Sequence, residues 1–88
     1  MFSLSSDHRY YLYQYACDMR RNFNGLCSLI RRELGCDPCN GSVYVFLNHR
    51  RTHMKLLHWE SGGFALYYKR LEEGCFQLPT ARNVQGIL

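Results

Sequence analysis

The apolar positions of this chain change period along its length. Between Arg9 and Tyr15 the residues Tyr10, Tyr11, Leu12, Tyr13 and Tyr15 form a short aromatic run that reads as a first strand, because such side chains suit a pleated, half-buried surface. Then Met19, Phe23, Leu26, Cys27, Ile30 and Leu34 recur at three- and four-residue spacing, which predicts an amphipathic helix. Asp18 stands where an N-cap is wanted and Gly35 where a left-handed C-cap is wanted. Gly25 weakens the helix interior by about 1 kcal/mol relative to alanine and would admit a strand close by. After the turn-rich Asp37-Pro38-Cys39-Asn40-Gly41-Ser42 the period falls to two. Strands are predicted over residues 43–48, 52–59 and 64–71, with a short fifth over 75–78 that Pro79 ends. His49-Arg50-Arg51, Glu60-Ser61-Gly62-Gly63 and Glu73-Gly74 supply the turns. A strand and a helix followed by an antiparallel β-meander of about four strands make an α+β domain, with the helix packed on one face of the sheet. One domain is expected over residues 1–79, with residues 80–88 a loose tail.

Alternation then sorts the strand residues into two faces. Val43, Val45, Leu47, Met54, Leu56, Phe64, Leu66 and Tyr68 form the set expected against the helix. Tyr44, Phe46, His53, Lys55, Leu57, Trp59, Tyr67 and Lys69 form the opposite set, which interleaves aromatics with cations. Aromatic rings stack on bases while cations meet phosphates. The competing reading is plain sheet structure, since strands favour aromatics and lysine stems cover apolar surface. A protein interface is the third reading of that face. Arg50 and Arg51 sit at a turn from which guanidinium groups reach phosphates, and Lys55, Lys69 and Arg70 add to the basic set. On the helix, Arg20, Arg21, Arg31 and Arg32 are expected on one side, a second and weaker candidate patch.

Composition narrows the classes. Hydrophobic residues make up 47% of the 88 and aromatics 15%, enough for one core and too much for disorder. The formal charge of +4 suits an anionic partner. No apolar run is long enough to span a bilayer, and no signal peptide is expected from Met-Phe-Ser-Leu-Ser-Ser-Asp. Five unevenly spaced cysteines point to free thiols in a reducing cytoplasm. Cys36-x2-Cys39 followed by His49-x3-His53 invites a zinc reading. The nine-residue gap is short for a finger, and no helix carries the histidines, so no metal or other cofactor is expected. The seven acids are scattered, and no phosphate loop, nucleophile elbow or zinc-protease motif occurs. A metal-dependent nuclease, which needs clustered carboxylates, is therefore the weakest alternative.

Four segments together carry a resemblance: Arg-Tyr-Tyr-Leu-Tyr from Arg9, Cys-Asp-Met-Arg-Arg-Asn-Phe-Asn-Gly-Leu from Cys17, Val-Phe-Leu-Asn-His-Arg-Arg-Thr-His-Met-Lys-Leu-Leu-His-Trp from Val45, and Gly-Phe-Ala-Leu-Tyr-Tyr-Lys-Arg-Leu-Glu from Gly63. Over Phe2 to Pro79 the chain resembles the small TnpB-type accessory proteins, products of the second open reading frame of a class of bacterial insertion sequences that encode a separate DDE transposase. The resemblance implies a non-catalytic accessory role in DNA transposition, with DNA at the element ends, the cognate transposase, or both as partners. A purely protein-binding module is the alternative. The resemblance carries no catalytic residue. Its matching basic positions are Arg20, Arg50, Arg51, Lys55, Lys69 and Arg70; with Arg21 they form the expected DNA-binding set, and His53, Trp59 and Tyr67 the expected stacking or partner-binding set. Cys36 and Cys39 depart from the family's usual residues. Family members usually run on past Pro79, so a missing C-terminal segment is a further expectation.

Overall fold

A computed structural model of the chain describes residues 8–77 and the backbone of Gly86–Ile87. The elements are β1 (Tyr10–Leu12), α1 (Phe23–Glu33), β2 (Val43–Leu47), β3 (His53–Glu60), β4 (Gly63–Arg70) and β5 (Gly86–Ile87). They form one sheet in the order β4-β3-β2-β1-β5. The meander β2-β3-β4 is antiparallel, as the turn-separated period-two runs predict. β1 instead lies parallel to β2, so the sheet is mixed. Parallel neighbours cannot be joined by a tight turn, and α1 provides the crossover between them. The backbone of β5 pairs parallel with β1 on its other side. The fifth strand predicted over 75–78 does not form at residues 75–77, where Phe76 instead donates its amide to the Arg51 carbonyl at 2.6 Å. Leu78 and, apart from that β5 backbone, the tail read as loose lie outside the described residues.

The chain stays on β2 after β1 ends, with Tyr13 N–H donating to Val45 O and Cys17 N–H to Leu47 O, both at 2.9 Å. A regular parallel ladder would reach the second carbonyl from residue 15, two residues sooner. The excess throws Gln14, Tyr15 and Ala16 outward, and all three are exposed.

The helix begins four residues later than its periodicity predicts. Asp18 does not cap it. Its carboxylate accepts the Arg20 amide at 2.9 Å and grips the Arg20 guanidinium, and its carbonyl accepts the Arg21 amide at 3.1 Å, which closes a separate turn. The N-cap is Asn22, in extended conformation, whose carbonyl accepts the Leu26 amide at 2.9 Å. Arg20 and Arg21 therefore precede the helix and share no helical face with Arg31 and Arg32. Gly25 faces Arg21 rather than a strand: a Cβ there would meet the Arg21 side chain at 3.3 Å. The C-terminus follows the sequence, with Gly35 at φ +63 and the Leu34 and Cys36 amides both donating to the Ile30 carbonyl.

The core joins Leu26, Cys27, Leu29 and Ile30 of α1 to Tyr44, Phe46 and Leu57 of the sheet, closed by Tyr13 and Cys17. Phe64 and Leu66 pack against it from β4. Cross-strand partners share a face, and Tyr44 pairs Leu57, Phe46 pairs Lys55 and Leu57 pairs Leu66. The helix thus covers the face of Tyr44, Phe46, Lys55 and Leu57, the set expected to face outward. Only β4 presents its expected residues. Val43, Leu47 and Leu56 occupy the other face and are buried as well. β2 is apolar on both sides, so its alternation carried no sign.

Candidate functional site

The β2–β3 turn displays three exposed basic or imidazole residues, His49, Arg50 and Arg51, on a hydrogen-bonded backbone. Asn48 organises it: its Oδ1 accepts the amides of Thr52 at 2.9 Å and His53 at 3.0 Å, and its Nδ2 donates to Thr52 Oγ1 at 3.0 Å. Its carbonyl accepts the Arg51 amide at 3.1 Å. Arg51 takes φ +57, a left-handed conformation that an L-residue adopts only where its surroundings hold it. The flanking chain pins the turn again, through Leu71 N–H to Thr52 O at 2.8 Å and Phe76 N–H to Arg51 O. His53 Nδ1 lies 3.2 Å from Asn48 Nδ2, which only donates, so the neutral ring carries its proton on Nε2. His49, Arg50 and Arg51 project from this scaffold, exposed. Neither Arg50 nor Arg51 has a carboxylate partner among the described residues.

Open grooves run along both sides of the turn. One is lined by Tyr13, Tyr15, His49 and Arg51. Another, of about 390 Å³, is lined by Asp18, Met19, His49, Arg50, His53 and Tyr68. A third continues from His53 and Tyr68 to Arg70 and Glu72. Two acids stand among these cations, and each is already held by an arginine. Arg20 binds Asp18 at 2.7 Å and Arg70 binds Glu72 at 2.7 Å. The Arg20 guanidinium and amide hold the Asp18 carboxyl at a pKa of about 2, well below the usual carboxylate range.

Lys55, expected among the DNA contacts, is only 3% exposed. Its ammonium donates to Met19 O at 2.8 Å, Arg21 O at 2.7 Å and Asn22 Oδ1 at 3.2 Å, and sits 4.6 Å from the Tyr68 ring centroid. It organises the entry to α1 from within the fold. Lys69 is exposed but stands on the other face from Arg70, since Lys69 pairs Met54 and Arg70 pairs His53. Arg21 is half-buried against the Gly25 carbonyl. Trp59 packs edge-on against Phe64 at 4.9 Å, six residues along β3 from His53, roughly 20 Å away. Tyr67 is partly exposed on the Lys69 face. Of the expected set, the turn therefore gathers Arg50, Arg51, His53 and Arg70, with Arg20 at the edge. Lys55, Lys69, Arg21, Trp59 and Tyr67 do not join them.

Sequence reasoning missed Tyr15 and Tyr68. Tyr68, expected against the helix, is 53% exposed; Tyr15 is 64% exposed. The zinc-like residues are parted by the sheet: Cys36 lies near the start of β2, beside Asn40 and Ser42, and His49 follows its end. Among the described residues no group of three or more His, Cys, Asp or Glu is placed to hold a metal ion. All five cysteines are free. Burial pushes the Cys17 and Cys27 thiols up in pKa, away from reactivity. No helix among the described residues is long and apolar enough to cross a membrane.

A small mixed-sheet α+β domain with a hydrogen-bonded turn of exposed arginines is the class these features define. The chain belongs to the family of IS66 Orf2-like proteins, which matches it over residues 8–87. That membership ties it to an insertion sequence and agrees with the resemblance drawn from its segments. Two relatives are uncharacterized proteins of Sinorhizobium fredii (strain NBRC 101917 / NGR234). The protein y4jC is 35% identical over 66 residues, covering 75% of this chain and 56% of the relative. The protein y4hO is 31% identical over 66 residues, covering 75% and 57%. The chain thus spans little more than half the length of the curated relatives it matches. No solved structure matches it.

Proposed function

We propose that this chain is a non-catalytic accessory factor in the transposition of an insertion sequence, and that it binds DNA through the rim around the β2–β3 turn. The observation that carries this reading is the pair of guanidinium groups, Arg50 and Arg51, which have no carboxylate partner among the described residues, on a turn fixed by the Asn48 network. Ordering a flexible basic loop costs conformational entropy on binding, and a preformed turn avoids most of that cost. Arg70 and Arg20 flank the turn, and their acid partners are exchangeable for phosphate at an exposed site. The basic-aromatic surface expected from the sheet face shrinks to this rim, because the face itself lies under α1.

Fluorescence anisotropy with labelled DNA tests the reading. At roughly 50 mM salt the chain is expected to bind, with log affinity falling against log salt by about 0.9 per phosphate neutralised. The double variant Arg50→Ala/Arg51→Ala is expected to lower that slope by about 2 and to weaken binding at least about tenfold at the same salt. Absence of binding at low salt, or a slope untouched by the double substitution, would sink the DNA reading. A chain that ignores DNA but co-purifies with its transposase belongs to the protein-binding alternative instead.

A further inference from the structure

We infer that the DNA taken by this rim is single-stranded, an inference that rests on the DNA-binding reading above and narrows it. Tyr15 and Tyr68 are the two most exposed large hydrophobic side chains of the described residues, at 64% and 53%. Both border the arginine turn. Tyr15 shares a groove with His49 and Arg51, and Tyr68 shares one with His49 and Arg50. The grooves meet at Asn48 and His49, and the second continues through His53 and Tyr68 to Arg70. One open track therefore passes an exposed ring, four cationic or imidazole side chains, a second exposed ring and a further cation.

Each ring is braced from behind. Lys55 holds its ammonium 4.6 Å from the centre of the Tyr68 ring, and the His53 ring lies 6.0 Å away, tilted by 39°. Tyr15 meets the ring of Tyr13 edge-on at 5.7 Å, and Tyr13 is itself buried and donates its hydroxyl to Glu33 at 3.1 Å. Fixed rings with an open side are stacking platforms. Duplex DNA keeps its base faces stacked on one another and offers such rings nothing but its outer edge. An unpaired strand brings bases to the rings and phosphates to the arginines at once. Asp18 and Glu72 on the same track are each compensated by a bound arginine and do not make it repulsive.

The test compares one mixed-sequence oligonucleotide, single-stranded and as a blunt duplex, by anisotropy at one low salt concentration. The single strand is expected to bind at least about tenfold tighter. Tyr15→Leu and Tyr68→Leu are each expected to weaken single-strand binding by at least about fivefold, and duplex binding by clearly less, whereas Tyr68→Phe keeps single-strand binding. Arg50→Ala weakens both. Equal or tighter binding of the duplex, or tyrosine variants that bind the single strand like the parent, would overturn this inference while leaving DNA binding standing. Binding to neither form overturns both. Should Tyr68→Leu fail to fold by circular dichroism, Tyr15→Leu, at a more exposed position, decides the matter alone.

Discussion

Lys55 shows how far a residue's role departs from its type. By composition it is one of eleven cations on a basic chain. In the fold it is a buried three-way donor tying β3 to the chain before α1, across 36 residues of sequence to Met19. Substituting it leaves two backbone carbonyls and the Asn22 side chain without their donor, and a buried polar group left unmade is costly. Lys55→Met keeps the stem and removes the charge. It is expected to destabilise the domain by about 2–3 kcal/mol, with a melting temperature lower by roughly 10 °C or more. A thermal melt indistinguishable from the parent's would contradict the assigned role. Asn48 acts in a similar way beside the turn, although a single asparagine before a turn carries no distinguishing signal in the sequence. Its importance lies in the four side-chain hydrogen bonds it makes to Thr52 and His53 across the turn.

At the scale of elements, turn chemistry was the most legible signal. The β3–β4 hairpin closes through Ser61 at φ +49 and Gly62 at φ +81, with Glu60 paired to Gly63. Two consecutive positive φ values in a two-residue loop match the twist of a hairpin. Gly62→Ala introduces a Cβ into open space, so its cost is conformational alone, about 1–2 kcal/mol. The neighbouring Gly63→Ala, also open but without the positive φ, is expected to be near neutral. Equal melting temperatures for the two variants would contradict this account. The helix start was less legible. Asp18 has the right type for an N-cap, but Arg20 two residues on captures its carboxylate, and Lys55 from another strand takes the carbonyls of Met19 and Arg21. Periodicity counts side chains and is blind to such competition for backbone groups.

Across the whole molecule the cysteines report how the domain opens. Cys75 is exposed, Cys36 and Cys39 are partly buried, and Cys17 and Cys27 are buried in or against the core. Limited alkylation read by mass spectrometry is expected to label Cys75 first, Cys36 and Cys39 next, and Cys17 and Cys27 only through opening of the core, with their raised thiol pKa slowing them further. Labelling of Cys27 as fast as Cys75 would mean that α1 does not stay on the sheet. The same core explains why the helix settles where it does. Tyr44, Phe46 and Leu57 offer the helix larger surfaces than Val43 and Val45 do, and burial of apolar area scales with that size.

The α+β class, the order of the first helix and four strands, the alternation within each strand, the glycine-closed helix end, the turn residues and the family are all legible in the amino-acid order. Each rests on local periodicity, on a backbone requirement at one position or on segments read in order. Which side of the sheet the helix covers, the parallel run of β1 beside β2, the inward Lys55 and the placing of Tyr15 and Tyr68 beside the arginine turn come from long-range packing. Alternation relates residues within a strand but assigns neither face to the core. Where both faces of β2 are apolar, that choice falls to packing between elements distant in sequence.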